Sequence, residues 1–402
     1  MTETDERREE VSEENEAAEV RDGKSKNTKH TIRYIRYLLL LIMVMVALIF
    51  LFSNREQING DNFRRMFAKF NKGFGVSATK DGEVHFDAVG EGETVVYKDG
   101  YAHATVEKLV VTDKEGTEFQ NVPLGFRKPV LYANGRYVFA YDSGGTGLIV
   151  TDSFSVLFEK NLEDPIITAR MNRDGSIVVI TEGDGFLAKV YVFNSSFKEV
   201  YRYRSMNRYI LDAAISEDGK AMAVSALNIE GAGIVPEIMY FKLSKETVQW
   251  TVSFEEDPCV AVSIKEDGTV CGLFRHGMVS LNSKGKEVGR YSLDNQVIQC
   301  FSIDHPDDNV FVVSASENGD GTVIFCNEKG KVKDSVPLDF YAVAVDYREG
   351  RVAVLGNRRS EVYNRSGKLL WKDTPERVKD IALMGRNTVV VLSESKCVYN
   401  GI

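Results

Sequence analysis

This 402-residue sequence is poor in the residues that usually carry chemistry, with five cysteines, five histidines, two tryptophans and eight prolines. The cysteines (Cys259, Cys271, Cys300, Cys326, Cys397) are scattered and include no C-x-x-C pair, which argues against a zinc site and a disulfide framework. Cys259 and Cys300 take equivalent places in neighbouring repeats. Such strands lie about 8 Å or more apart, beyond the ~7 Å Cα separation that a disulfide spans. Free buried thiols and no disulfide-linked oligomer are therefore expected. The histidines (His30, His85, His103, His276, His305) fall in different segments. No H-E-x-x-H, no G-x-S-x-G and no Walker lysine after "DSGGTG" occurs. The acidic run "DHPDDN" (304–309) lacks the alternating ligand spacing of a calcium loop. No catalytic residue, metal or cofactor is expected. A net charge of −9 with no basic cluster among the apolar segments excludes nucleic acid as a partner.

Repetition is what the sequence has. "IITARMNRDGSIVVIT", "ILDAAISEDGKAMAVS" and "CVAVSIKEDGTVCGLF" each place an apolar run on either side of Asp-Gly, at Asp174-Gly175, Asp218-Gly219 and Asp267-Gly268. Asp-Gly between such runs reads as a two-residue hairpin turn in which Gly supplies positive φ. Looser copies turn at Asn134-Gly135, Asp308-Asn309, Glu349-Gly350 and Arg386-Asn387, with a poor one near Gly92. Seven steps separate Gly92 from Asn387, about 42 residues each, the length of a four-stranded propeller blade. The second half of each unit recurs too, as in "MVSLNSKGKEVGRYSL" and "EVYNRSGKLLWKDT". It gives a strand, a polar turn, a lysine and a strand.

Each unit is thus two hairpins, A–B and C–D, and the fold class is an all-β propeller over residues 73–402. Eight antiparallel blades are expected, seven with a loose carboxy-terminal hairpin being the alternative. The eighth unit shows a C strand in "KCVYNGI" and no D strand after it. "GFGVSATK" (73–80) is expected to supply that strand and so to remove the exposed edge.

The amino terminus differs in kind. Residues 1–20 carry nine Asp/Glu and two Arg, and residues 21–36 six Lys/Arg, so 1–33 reads as a disordered cytoplasmic tail. "YLLLLIMVMVALIFLF" (37–52) follows without a charge. Extended to 34–53, it reads as one transmembrane helix, with Arg36 and Arg55 snorkelling at its ends. "FLFSN" offers no small-x-small cleavage pattern, which disfavours a signal peptide. Five Lys/Arg in 22–36 against three in 54–68 bias the propeller to the outer side. Within 54–72, Phe63, Met66, Phe67 and Phe70 share one helix side, with Arg64 and Arg65 among the residues largely on the other. This segment is an amphipathic helix on anionic lipid heads or a stalk under the propeller.

Trp250 in "KETVQW" and Trp371 in "SGKLLW" resemble the tryptophan-docking repeat of quinoprotein-like propellers. That resemblance implies a Trp wedged between adjacent blades, but without the vicinal cysteines of the quinone-cofactor dehydrogenases. The basic stop, the span, "NFRRMF", "DPIITA" (164–169), "AISEDGKAMAV" and "SGKLLW" together resemble a family of single-span envelope proteins of Gram-positive, clostridia-like bacteria of unknown function. The likeness covers residues 30–402. It implies topology and a cell-membrane location, and no activity.

Tight A–B and C–D turns leave the D–A and B–C loops as the recognition face. The candidate contacts there are Asp164, Arg208, Glu230, Asp257, Arg275, Arg358 and Arg377. The inner strands read small and apolar. A non-enzymatic scaffold for an envelope protein or glycan is therefore expected. The alternative is a hydrolase or lyase acting on an extracellular polymer.

Overall fold

The computed structural model describes residues 37–45, 64–65, 82–85, 92–231, 233–255, 257–305, 308–374 and 377–402. The chain forms two compact units, Met1–Ala68 and Lys69–Ile402. In the first, residues 37–45 form a helix, and 64–65 are helical with Arg64 exposed and Arg65 buried. Among the described residues no helix is long and apolar enough to cross a membrane. The tail, the flanks of the expected span, and Arg36, Arg55, Phe63, Phe67 and Phe70 lie outside the described residues.

The second unit opens with β1 (Glu83–His85). Blade 1 is β2 (Glu93–Tyr97), β3 (Gly100–Ala104), β4 (Lys108–Asp113) and β5 (Glu118–Pro123). Blade 2 is β6 (Pro129–Ala133), β7 (Val138–Asp142), β8 (Gly147–Thr151) and β9 (Val156–Asn161). Blade 3 is β10 (Ile166–Met171), β11 (Ile177–Gly183), β12 (Phe186–Phe193) and β13 (Glu199–Ser205). Blade 4 is β14 (Arg208–Ile215), β15 (Ala221–Glu230), β16 (Gly233–Lys242) and β17 (Val248–Ser253). Blade 5 is β18 (Cys259–Ile264), β19 (Val270–Phe274), β20 (Gly277–Leu281) and β21 (Glu287–Ser292). Blade 6 is β22 (Val297–Ser302), β23 (Asn309–Ser314), β24 (Thr322–Cys326) and β25 (Val332–Pro337). Blade 7 is β26 (Ala342–Arg348), β27 (Arg351–Gly356), β28 (Arg359–Asn364) and β29 (Leu369–Asp373). Blade 8 is β30 (Val378–Met384), β31 (Thr388–Ser393) and β32 (Lys396–Gly401), with β1 as its fourth strand.

Every pairing within these eight sheets is antiparallel. The first strands pack on one another from β2 through β18 and from β22 through β30, blades 5 and 6 share a buried core cluster, and β30 packs on β2, so the sheets form a ring. Neighbouring blades cover both faces of the middle strands. β7, β8, β19 and β20 are buried at every residue and read as mainly apolar runs without alternation. Outer strands such as β9 and β21 show alternation, with partly covered residues between exposed ones.

Ring closure through the termini holds, but the closing strand is β1 rather than 73–80. Glu83, Val84 and His85 pair with Val398, Cys397 and Lys396, and Lys396 Nζ donates to Glu83 Oε1 at 3.0 Å. The reason is chain length. The other D–A connections have two to five residues. Closure from 73–80 would leave twelve residues before β2, whereas β1 leaves seven. Residues 73–80 themselves lie outside the described residues. The first A–B turn is Lys98-Asp99, since Gly92 precedes β2.

The Asp-Gly turns also differ from expectation. Asn172 N donates to Ser176 O and Gly175 N to Asn172 O, and of Asp174 and Gly175 only the glycine has positive φ. This is a three-residue loop with a left-handed glycine. Glu349-Gly350 is the two-residue form, both residues at positive φ between the pair Arg348 and Arg351.

Trp250 does wedge between blades. It stacks on Tyr240 at 5.1 Å, and its indole Nε1 donates to Ser283 O of blade 5. A Cβ at Gly285 would lie 2.9 Å from the indole. All five cysteines are free, Cys300 being only half-buried.

Candidate binding face and central channel

The residue after a D strand recurrently donates its N–H to the B–C loop, or in blade 4 to the start of strand C, of the same blade. The bonds run from Leu124 to Glu107 O, Leu162 to Thr146 O, Phe254 to Pro236 O, Leu293 to His276 O and Leu338 to Gly321 O, at 2.6–3.0 Å. D–A and B–C loops therefore share one face, and the A–B and C–D turns share the other.

At the loop-face end of six of the eight innermost strands the A–B register slips by one residue. The residues left over are Ile167, Leu211, Val260, Gln299, Val343 and Lys379. A bulge re-aims the extra side chain. Each of these strands pairs on one side only, so its free edge faces the ring centre. Ile167, Val260 and Val343 are 44%, 52% and 43% exposed, each directly after a residue that is covered (Ile166, Cys259 and Ala342). They form an aliphatic collar at the channel mouth. Tyr209 and the tip of the long β15–β16 hairpin, with Ile234 64% exposed, extend this apolar surface on blade 4. Ile229 N ties that hairpin to Asn207 O in the preceding D–A loop at 2.9 Å.

The innermost strands also carry charge, which the reading of these strands as small and apolar missed. Glu93 Oε2 accepts from Leu131 N (2.9 Å), Asp212 Oδ2 from Val262 N (2.8 Å), and Asp346 Oδ2 from Leu383 N (2.7 Å). Gln299 Oε1 accepts from Ala342 N at 3.0 Å in the same manner. Each bond runs to the innermost strand of the next blade and staples the pair.

Arg170 spans four blades on the turn side. Its Nη1 donates to Asp212 Oδ2 (2.8 Å) and Val262 O (3.1 Å), and Nη2 pairs with Asp304. Burial pushes the Glu93 carboxyl up to about 7 and the Asp380 carboxyl up to about 6. Asp212 and Asp346 are raised for the same reason, Arg170 opposing it at Asp212. The signal in the sequence was an acidic residue inside an apolar A strand, as in "ILDAAI", "VAVDY" and "VKDIAL".

The seven residues picked from the sequence fall on the loop face but are not equivalent. Asp164 is buried in an ion pair with Lys189 Nζ at 2.6 Å and also accepts from Asp184 N. The Lys189 hydrogen bond holds its carboxyl below the ordinary range. Asp164 is therefore a brace of the loop. Arg208 and Glu230 are brought together on blade 4. Arg208 Nε donates to Glu237 Oε2 at 2.7 Å, and Asn228 Nδ2 bridges Glu237 and Glu230. Asp257 Oδ2 lies 3.5 Å from His276 Nε2, beside Arg275. Arg275, Arg358 and Arg377 are exposed, Arg377 with φ of +54°.

Charge separates the two faces. Among the described residues, the D–A and B–C segments between strands hold eleven Asp/Glu and five Lys/Arg. The A–B and C–D segments hold thirteen and fifteen. The acidic excess thus lies on the face that carries the collar. The "DHPDDN" carboxylates Asp304 and Asp308 are met by protein groups. Asp308 accepts from Lys333 Nζ (3.1 Å), Tyr347 OH (2.9 Å) and Arg365 Nη2 (2.8 Å).

Eight four-stranded antiparallel blades in a closed ring define a β-propeller. Within that class, residues 76–398 match a family of unknown function, DUF5711, and the chain belongs to it. No curated protein matches the sequence. Among solved structures, the chain is similar to BamB from Moraxella catarrhalis, at 11% identity and a TM-score of 0.51, covering 80% of this chain and 98% of that one. It is also similar to the C-terminal WD40 domain of Sif2, at 14% identity and a TM-score of 0.56, again covering 80% and 98%. At these identities the likeness is one of fold.

Proposed function

We propose that this protein is a non-enzymatic binding or assembly scaffold of the bacterial cell envelope. In this reading one span over 34–53 anchors it in the membrane, the amino terminus is cytoplasmic, and the extracytoplasmic propeller presents its loop face to an envelope protein or glycan. The collar carries the binding part of the proposal. Aliphatic side chains left in water at equivalent places of several blades are a feature of contact surfaces. The non-enzymatic part draws on Glu93, Asp212 and Asp346, whose carboxylates are engaged in stapling blades together. The anchoring part draws on residues 37–45, a helix of nine apolar side chains that are all exposed, a surface that lipid accommodates and water disfavours.

One observation favours the hydrolase or lyase reading. The carboxyls of Glu93 and Asp380, raised to about 7 and about 6, lie in the range suited to general acid–base work. Cells carrying a photo-crosslinking residue at Val260 or at Lys286 test the scaffold. Adducts from Val260 on the loop face and none from Lys286 on the turn face are expected, and equal labelling overturns the assignment of the face. Protease added to intact protoplasts should remove the propeller and spare an amino-terminal tag, and the reverse pattern inverts the topology. Loss of a measured polymer-cleaving activity in Glu93→Gln would favour the enzyme.

A further inference from the structure

The geometry points to a lysine- or arginine-bearing peptide segment of a partner protein as the occupant of the channel mouth, its apolar side chains seated on the aliphatic collar and its cations on the acidic loop rim. This rests on the scaffold reading and narrows it to one class of ligand.

Two independent features select that class. The collar is aliphatic, from the exposed Ile167, Val260 and Val343 on blades 3, 5 and 7, with the half-buried Leu211 at the same place on blade 4. A sugar ring stacks on aromatic faces and gains little from such groups. An apolar side chain gains about 25 cal/mol for each Å² it buries there. The rim is the second feature. Glu163, Glu255, Asp257, Asp294 and Asp339 stand on the D–A connections that lead into the innermost strands. Asp339 pairs with Arg359 and Asp257 adjoins His276, while the rim as a whole keeps its acidic excess.

Anionic glycans and nucleic acids are repelled by such a rim, and a cationic segment is drawn to it. A free polyamine would satisfy the carboxylates and leave the collar in water. A ligand carrying both apolar and cationic groups along its length, over several blades, is a polypeptide.

The test uses the full-length protein in zwitterionic nanodiscs and three fluorescent twelve-residue peptides, alternating Lys/Leu, Lys/Ser and Glu/Leu. Fluorescence anisotropy should show binding of Lys/Leu, binding of Lys/Ser weaker by about tenfold or more, and none of Glu/Leu. Raising salt should weaken Lys/Leu binding, since exposed charges are screened beyond about 10 Å at 0.1 M. The double variant Ile167→Ser, Val260→Ser should lose about tenfold in affinity with an unchanged melting temperature, because both side chains are exposed. Lys286→Ser on the opposite face should change nothing.

Equal binding of Glu/Leu, or Lys/Leu affinity unaffected by the collar variant, overturns the inference. The scaffold reading fails separately, on equal crosslinking from Val260 and Lys286. A loop-face crosslink to a partner region without basic residues leaves the scaffold standing and overturns the basic peptide.

Discussion

Glu93 shows how a single carboxylate on an innermost strand becomes a pH-sensitive element. Its folded-state value of about 7 exceeds the ordinary 4.5, because burial outweighs the hydrogen bond from Leu131 N. The folded state therefore binds the proton more tightly. The stability this contributes is fully present below about pH 4.5 and is lost as pH rises through about 7. Glu93→Gln keeps the acceptor for Leu131 and removes the titration. Relative to wild type, the variant should gain on the order of 1–2 kcal/mol between pH 5 and pH 8, after allowance for water in the channel.

His103 and His305, lowered to about 4 chiefly by burial, act in the opposite sense over the same range. The difference between paired urea titrations of variant and wild type isolates Glu93, and a pH-independent difference refutes the assignment. Arg170 supplies a second residue-scale prediction. Arg170→Met leaves Asp212 without its cation in a covered site and should cost about 3–5 kcal/mol in urea unfolding. A loss below about 1 kcal/mol would mean that the clasp across four blades is incidental.

At the scale of the element, the C–D turns repeat one local solution. Asn282, Asn327 and Asn364 each accept, through Oδ1, the N–H of the residue four positions on, and Gly285, Gly330 and Gly367 take positive φ between. Asn194 and Asp113 do the same, with Phe197 (φ of +59°) and Gly116 at the left-handed position. Phe197 occupies a place that favours glycine because its ring stacks on Phe158 of the preceding blade at 5.5 Å.

Glycines of similar φ then differ in what surrounds them. A Cβ at Gly330 would lie 2.6 Å from the Arg290 carbonyl carbon, and one at Gly268 would meet nothing within 4 Å. Gly268→Ala should therefore cost about 1–2 kcal/mol, from left-handed strain alone. Gly330→Ala should cost clearly more, since backbone must also shift. Equal melting temperatures for the two variants would contradict the close approach of blades 5 and 6. These turns were legible because an Asn, a Gly and a Lys at fixed offsets are local chemistry. The Asp-Gly loops were placed correctly but made too short, by one residue at Asp174-Gly175 and Asp267-Gly268 and by two at Asp218-Gly219, because Asn172, Lys265 and Ser216 close them through bonds to Ser176, Thr269 and Ala221 that the dipeptide does not encode.

At the scale of the whole molecule, closure rests on three residues. Val84 is buried in a cluster with Tyr101, Val390, Leu392 and Cys397. Burial pushes the Cys397 thiol up to about 12, so it should be inert to thiol reagents in the native ring. Val84→Asp places a charge in that cluster and opens the seam. The variant should melt at lower temperature and expose Cys397 to labelling, which mass spectrometry reads at that site. Labelling no faster than wild type would show that the ring does not depend on β1.

The sequence by itself favoured eight blades over seven, placed every A–B turn but the first, and marked the face carrying the variable loops. Each of these follows from contacts within a hairpin or from a period that the chain repeats. The tertiary structure alone decided which short strand closes the ring, that Asp164 is held by Lys189, and that the innermost strands bulge at the channel mouth. It also decided that Glu93, Asp212 and Asp346 reach across to the next blade. Those outcomes depend on groups far apart in the chain, Arg170 and Asp304 being 134 residues distant. Side chains of innermost strands meet only after eight sheets close around a common axis, and no pattern within one repeat records that meeting.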